Sequence, residues 1–319
     1  MEGELWPGLY GMVKDLGKKH RSADVEHSNA WIVLVYLWAV LHDRPVCWAC
    51  RQSNWPGPWQ DRNLPSASCM SRRLRSPAVL SLMNDLEQTY RKQFGRSLFR
   101  SIDARPLPIG GSSGDPQAGY GRAAASKAKG YKFYAILDST GGIDAWRGGP
   151  MNYSERTMAR RLLRDLDAGG YLTGDGEYDD AKLYHQAGRQ GLQLIAIKRR
   201  GERLGHRRQD PHRLRGIELQ AGRFGQSLLK DRARIDRFFG AWQSAGVGLK
   251  HPPAWVRTHR RVRLWVQAKL ILRYVHTLKQ RLTAQMQNPR KHGASGRLRP
   301  FIRPPRQVPP SSRPTLPIE

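Results

Sequence analysis

Tyr171-Leu-Thr-Gly-Asp175-Gly-Glu-Tyr-Asp-Asp180 reads as a short apolar strand that ends at Asp175 and opens into a polar turn. The flanks give it context. Tyr153 to Ala168 has helical spacing, with Met158, Leu162, Leu163 and Leu166 on one face. Asn152 and Glu155 are spaced as a capping box, and Gly169-Gly170 stops the helix. After the turn, Asp179 is placed to cap a helix reaching about Arg189, with Leu183, Tyr184 and Ala187 inward and Gly191 as its stop. Leu192 to Ile197 then reads as a buried strand. Asp175 therefore stands at the carboxyl end of a strand in an α/β unit, where open sheets place their chemistry. The plainer reading, a polar turn with no further role, stays open at this point.

The chain has 319 residues, enough for two domains, and carries 55 Lys+Arg against 26 Asp+Glu, a formal net charge of +29. A surplus this large, spread along the chain, favours a polyanionic partner. Membrane roles are not expected. The acidic start lacks the apolar core of a signal peptide, and the strongest apolar run, Ala30 to Leu41, is too short to span a bilayer. It reads instead as a buried helix. Cys47, Cys50 and Cys69 lack a second pair at zinc-site spacing, so they are read as core thiols in a reducing compartment.

Two further short helices are expected before residue 94. One runs over Val46 to Gln52, started by Asp43. The other is Ser66-Ala-Ser-Cys-Met-Ser71-Arg-Arg-Leu-Arg75, with Ser66 as cap and Met70 and Leu74 inward. Between them lies a Trp/Pro-rich loop, Asn54 to Trp59. Ser68, Ser71, Arg72 and Arg75 then face outward, which fits a helix-turn-helix DNA reader; a plain helical bundle with a basic rim is the alternative. Ser76 to Phe94 continues helical. From Gly95 the pattern turns to strands: Ser97 to Asp103, ending in an acid; an extended Ala104 to Ile109; a loop over Gly110 to Ala128; then Tyr131 to Leu137, with Tyr131, Phe133, Ala135 and Leu137 on one face. Thr140-Gly-Gly142 turns the chain back through Ile143 to Trp146. Lys198 to Arg234 is dense in Arg, Lys and His; such runs are usually solvated surface, and since Arg199 and Arg200 leave a strand end, lining a nucleic-acid channel is the other reading. Asp231 to Trp242 is a helix with Ile235, Phe238, Phe239 and Trp242 as its apolar face, and Arg232 four residues before Asp236. Ala254 to Leu282 is a long helix. The fold class is α/β, a mixed sheet flanked by helices behind an all-α N-terminal domain. Its regions are 1–94, 95–285 and a Pro- and Arg-rich tail, 286–319, with no core-forming period.

Three acids stand in comparable settings: Asp103, Asp175 and Asp236. Carboxylates from separate elements suit two hard cations such as Mg²⁺, which want oxygen ligands. Such a pair promotes in-line displacement at phosphorus.

Residues from about 30 to 280 resemble the DDE transposases of bacterial insertion sequences, the insertion-sequence-four type. The resemblance rests on Ser101-Ile-Asp103-Ala-Arg-Pro-Leu-Pro108, on Gly130-Tyr-Lys-Phe-Tyr-Ala-Ile-Leu-Asp138, on Leu172-Thr-Gly-Asp175-Gly-Glu-Tyr-Asp179, and on Arg232-Ala-Arg234-Ile-Asp236-Arg-Phe-Phe-Gly-Ala-Trp242. It implies a ribonuclease-H-like core and a transposase cutting and joining DNA with Mg²⁺, or Mn²⁺ in its place. Asp103, Asp175 and Asp236 would be catalytic residues and metal ligands, and Arg232 and Arg237 would lie on the DNA-facing helix. The partners implied are double-stranded DNA, both terminal inverted repeats and target, and a second copy of the chain, in the cytoplasm on the nucleoid. The chain departs from the pattern at three places: Asp236 where Glu is usual, Leu229 for a Tyr and Gln243 for a Lys. A catalytically impaired DNA-binding descendant and a nuclease that cuts without joining are the alternatives.

Overall fold

The computed structural model describes residues 2–21, 25–60, 62–123, 126–198, 209–244 and 248–287. Six helices come first: α1 (Glu2–Gly17), α2 (Asn29–Leu41), α3 (Val46–Ala49), α4 (Gly57–Gln60), α5 (Ala67–Arg73) and α6 (Pro77–Lys92). The remainder is β1 (Phe99–Pro108), β2 (Gly119–Ala123), β3 (Ser126–Asp138), β4 (Ile143–Pro150), α7 (Glu155–Leu163), β5 (Gly170–Gly174), α8 (Ala181–Arg189), β6 (Leu192–Ala196), α9 (Pro211–Ala221), α10 (Arg223–Ser244) and α11 (His259–Gln287). The residues up to Leu278 form one compact unit. Arg199, Arg200 and the tail from Asn288 lie outside the described residues.

The main sheet runs β4-β3-β1-β5-β6, with β2 as a hairpin arm on β3. β3 is antiparallel to β1 and β4, while β1, β5 and β6 are parallel. Three antiparallel strands followed by two parallel ones joined through helices give a ribonuclease-H-like order. One face, with Phe133, Ala135 and Leu137, packs on α10, α11 and the N-terminal helices; the other, with Ile102, Tyr134 and Ile136, packs on α7 and α8. The two faces follow from strand alternation, since Tyr131, Phe133, Ala135 and Leu137 all turn one way. α2, apolar all round, lies in the first core, capped by Ser28, whose oxygen accepts from Trp31 N.

Several boundaries differ from the sequence reading. Asp43 does not start α3. It takes φ 51° and pairs with buried Lys269 Nζ at 2.7 Å, leaving Pro45 at the cap. The Trp/Pro-rich loop holds the one-turn α4, and Trp55 is buried, its indole donating to Ala49 O. Cys47 is exposed and is not a core thiol, whereas Cys50 and Cys69 are partly buried and pack against the first core. Within Gly110 to Ala128, β2 and the start of β3 pair where a loop was expected. α10 begins eight residues before Asp231, and α9 was not foreseen at all. α11 begins later than Ala254, after Pro252-Pro253 and a positive φ at Thr258. α5 follows the expectation: Ser66 caps it, Met70 and Leu74 are buried, and Ser68, Ser71, Arg72 and Arg75 are exposed.

Gly170 opens β5 at φ +99°, and a Cβ there would lie 2.4 Å from Leu98 O. The same carbonyl accepts from Tyr171 N at 2.7 Å, which sets the β1–β5 join. Gly170→Ala is expected to cost about 1–3 kcal/mol, read as a lower denaturation midpoint.

Candidate active site

The local geometry begins with two parallel strands. β1 and β5 pair as Phe99 with Tyr171, Arg100 with Leu172 and Ser101 with Thr173. The Ser101 and Thr173 hydroxyls hydrogen-bond to each other at 2.8 Å, so both point to the same face. Asp103 and Asp175 each lie two residues further on, and side chains two apart share a face. Asp175 keeps extended backbone, φ −77° and ψ −176°. The two carboxylates thus stand side by side on the sheet face covered by α10. Contrary to the sequence reading, Asp103 does not end its strand. β1 continues to Pro108, held by β3, while β5 stops at Gly174. Asp103 faces the notch left where its neighbour ends.

α10 crosses that face alongside β1. Leu228, Asp231 and Arg234 border one small cavity with Phe99, Ser101 and Thr173, and further along Arg105 Nη1 donates to Phe239 O at 3.2 Å. Helix and strand therefore run in the same direction. From Asp231 to Phe239 the helix rises about 12 Å, against about 13 Å from Ser101 to Arg105 on the strand. Asp236 falls level with Asp103. Ile235, Phe239 and Trp242 anchor the helix and are buried. Asp236 itself is half exposed and pairs with Arg232 Nη2 at 3.7 Å.

From the opposite face, α7 brings its first turn against the Asp175 loop. Arg156 Nε donates to Glu177 O at 3.1 Å. The helix starts at Glu155 with Ser154 at the cap position, not at Tyr153 with Asn152, so the capping box does not form. Glu155 instead accepts from Lys132 Nζ at 2.8 Å. Asp180, not Asp179, caps α8, through Leu183 N. Asp179 accepts two hydrogen bonds of 2.8 Å from Arg213 of α9, both side chains buried. That bidentate pair fixes the Asp175 loop from behind. Neither Arg213 nor the role of Asp179 was visible in the sequence, because α9 lacks a strong apolar stripe. Its Leu and Ile residues are few, and its buried positions are Arg213 and Gly216.

The charges do not suit one another. Asp103 is raised to about 7, by burial first and then by Asp236, Asp175 and Glu155, against a hydrogen bond from the Ala104 N–H. Burial also raises Asp175, although the Glu177 N–H lowers it; Glu155 raises it and Arg232 lowers it. A free aspartate ionises near 3.9, so from about pH 4 to 7 the folded chain holds a proton on Asp103 that the unfolded chain has lost. Stability from this group is full below about pH 4, falls through that window and is gone above about 7. Asp103→Asn is therefore expected to raise the melting temperature at pH 8 without divalent ions, by about 2–4 kcal/mol of stability, and to change it little at pH 4. A melting temperature lowered at pH 8 would contradict the crowding.

A divalent cation is the remedy this donor set fits: all oxygen, negatively charged and offset only in part by Arg232. Tyr178, buried on the α7 side of the sheet, interacts with Glu155 and feels the charges of Asp103 and Asp175. Among the described residues no three acid, His or Cys side chains already stand close enough to share one ion. Side-chain rotation, Asp236 turning from Arg232 above all, would have to bring them together.

Residues 95–273, more than half of the chain, match the family model of the transposase DDE domain. The chain belongs to that family. The matched segment runs from β1 into α11 and contains all three acids and Arg213. Comparison with the curated proteins finds no match. Among solved structures, a similar chain is in the cryo-EM structure of the piggyBac transposase synaptic complex with hairpin DNA. It is 11% identical, with a TM-score of 0.41, and the match covers 86% of this chain and 73% of that one. Of the other residues singled out in the sequence, Arg237 is exposed and Arg232 partly buried on α10. Ser68, Ser71, Arg72 and Arg75 lie on and just after α5, outside the family match, with Arg75 Nε donating to Ser71 O at 2.8 Å. No described helix is long and apolar enough to cross a membrane.

Proposed function

We propose that this member of the transposase DDE family catalyses metal-dependent DNA strand cleavage and strand transfer at the ends of an insertion sequence. The observation that carries the proposal is the juxtaposition of Asp103 and Asp175 on neighbouring parallel strands, with Asp236 level with them on α10. In the bound state these three carboxylates hold two Mg²⁺ ions, or Mn²⁺ in their place. Such ions supply an activated oxygen nucleophile and neutralise charge at the phosphorus. Arg232, freed from Asp236, is placed to meet a phosphate, and exposed Arg237 extends the cationic face of the helix. The net charge of +29 supplies general attraction for duplex DNA. Ser68, Ser71, Arg72 and Arg75 are assigned to the terminal repeats, in a helical N-terminal region over 1–94, with Arg199 and Arg200 as further contacts. Joining two ends calls for two copies of the chain, on nucleoid DNA in the cytoplasm.

The test is cleavage and joining of DNA that carries the element's own ends, with Mg²⁺ and with chelator. Divalent-dependent nicking and joined products are expected. The half-exposed Asp236, tied to Arg232, favours one second reading, a DNA-binding descendant that has lost catalysis. Tight, salt-sensitive DNA binding with no cutting at any Mg²⁺ or Mn²⁺ concentration would select it. For either reading, each phosphate-contacting Arg changed to Ala should reduce the slope of log affinity against log salt by about 1.

A further inference from the structure

Glu155 sits where the three-acid reading has no place for it. Its helix, α7, packs on the sheet face opposite α10, yet its first turn is fixed to the Asp175 loop through Arg156 and the Glu177 carbonyl. Around it are Asp103, Asp175 and the phenol of Tyr178. Tyr178 is 1% exposed, and its phenol is turned to the Glu155 carboxylate, which interacts with it by charge and hydrogen bond. Glu155 is also held more firmly than Asp236. Lys132 Nζ, on β3 and nearly buried, grips Oε1 at 2.8 Å, whereas Asp236 is half exposed on its helix.

We propose that Glu155 is a fourth carboxylate of the divalent-ion pocket, with Lys132 as its counter-ion while no metal is bound. The inference rests on the metal-dependent reading above. Asp103, Asp175 and Asp236 bring three negative charges, and two divalent ions bring four positive ones. A fourth carboxylate completes the balance. Lys132 is then a competitor: an ion entering at Glu155 displaces the ammonium, which has the Glu155 end of the pocket to leave. The Tyr178 hydroxyl donates toward Glu155, so it positions that carboxylate and is not itself a ligand. The arrangement encloses the ions from both faces of the sheet, Asp236 from the α10 side and Glu155 from the α7 side.

The test is Mn²⁺ binding to the full chain without DNA, followed by electron paramagnetic resonance and by calorimetry, for the parent, Glu155→Gln, Asp175→Asn and Lys132→Met. Glu155→Gln should weaken at least one site tenfold or more, Asp175→Asn should abolish paired binding, and Lys132→Met should tighten binding several-fold. Parent-like binding by Glu155→Gln, with Asp175→Asn defective, overturns the role of Glu155 and leaves the three-acid site standing. Parent-like binding by both overturns the metal reading as a whole. If Glu155→Gln does not fold, Lys132→Met decides: tighter binding supports the proposal, and unchanged or weaker binding refutes it.

Discussion

Asp103→Asn and Asp175→Asn are each expected to lower Mg²⁺-dependent cleavage of end-bearing DNA by about 10³-fold or more, with DNA affinity nearly unchanged. Each substitution keeps the side chain's shape and removes one negative charge from a pocket whose task is to hold divalent ions. A thousandfold loss corresponds to about 4 kcal/mol of transition-state stabilisation, within what a metal contributes to charge at phosphorus. The usual objection, that such variants merely misfold, does not apply to Asp103. Burial, with Asp236, Asp175 and Glu155 adding to it, favours its neutral form, so the Asn variant is expected to be at least as stable as the parent at pH 8. A variant both more stable and inactive separates chemistry from folding. Cleavage within tenfold of the parent would mean that these carboxylates do not hold the ions.

Arg213→Leu is expected to be the most damaging single change outside the apolar cores. It removes the two hydrogen bonds that Arg213 gives the buried Asp179 carboxylate. Breaking a buried pair from one side costs about 3–5 kcal/mol, a large part of a domain's total stability. The loss should appear as a lower midpoint in urea. The double variant Arg213→Leu with Asp179→Leu should recover much of it, because no stranded charge remains. Because Asp179 lies in the same loop as Asp175, the single variant should also weaken Mn²⁺ binding at temperatures where it is still folded. A midpoint within 1 kcal/mol of the parent would show that the pair is dispensable.

The strands and helices with a strong apolar period were readable in the sequence: α2, β3 and β6, the buried face of α10, and the αβ unit around Asp175. What was not readable depends on partners distant in the chain. Asp103 looked like a strand end because Pro106 and Pro108 follow it, yet antiparallel pairing with β3 carries the strand through both. Asp179 looked like a cap because an acid before a helix usually is one; the adjacent Asp180 takes the cap, and Asp179 is claimed by a helix more than thirty residues later. Glu155 was read as half of a capping box from its spacing to Asn152. The helix starts two residues later than that box requires, which frees the carboxylate to turn toward Lys132. The sequence pointed to the three acids as candidates, but only the β1–β5 register and the course of α10 bring them to one level.

The central claim is that carboxylates on β1, after β5 and on α10 hold one pair of divalent ions. The most direct measurement is anomalous X-ray scattering from crystals of the full chain grown with Mn²⁺. Two peaks about 4 Å apart, bounded by Asp103 and Asp175 and reached by Asp236, are the predicted result. Mn²⁺ bound elsewhere on the chain, with the Asp103–Asp175 notch empty at saturating ion, would contradict it.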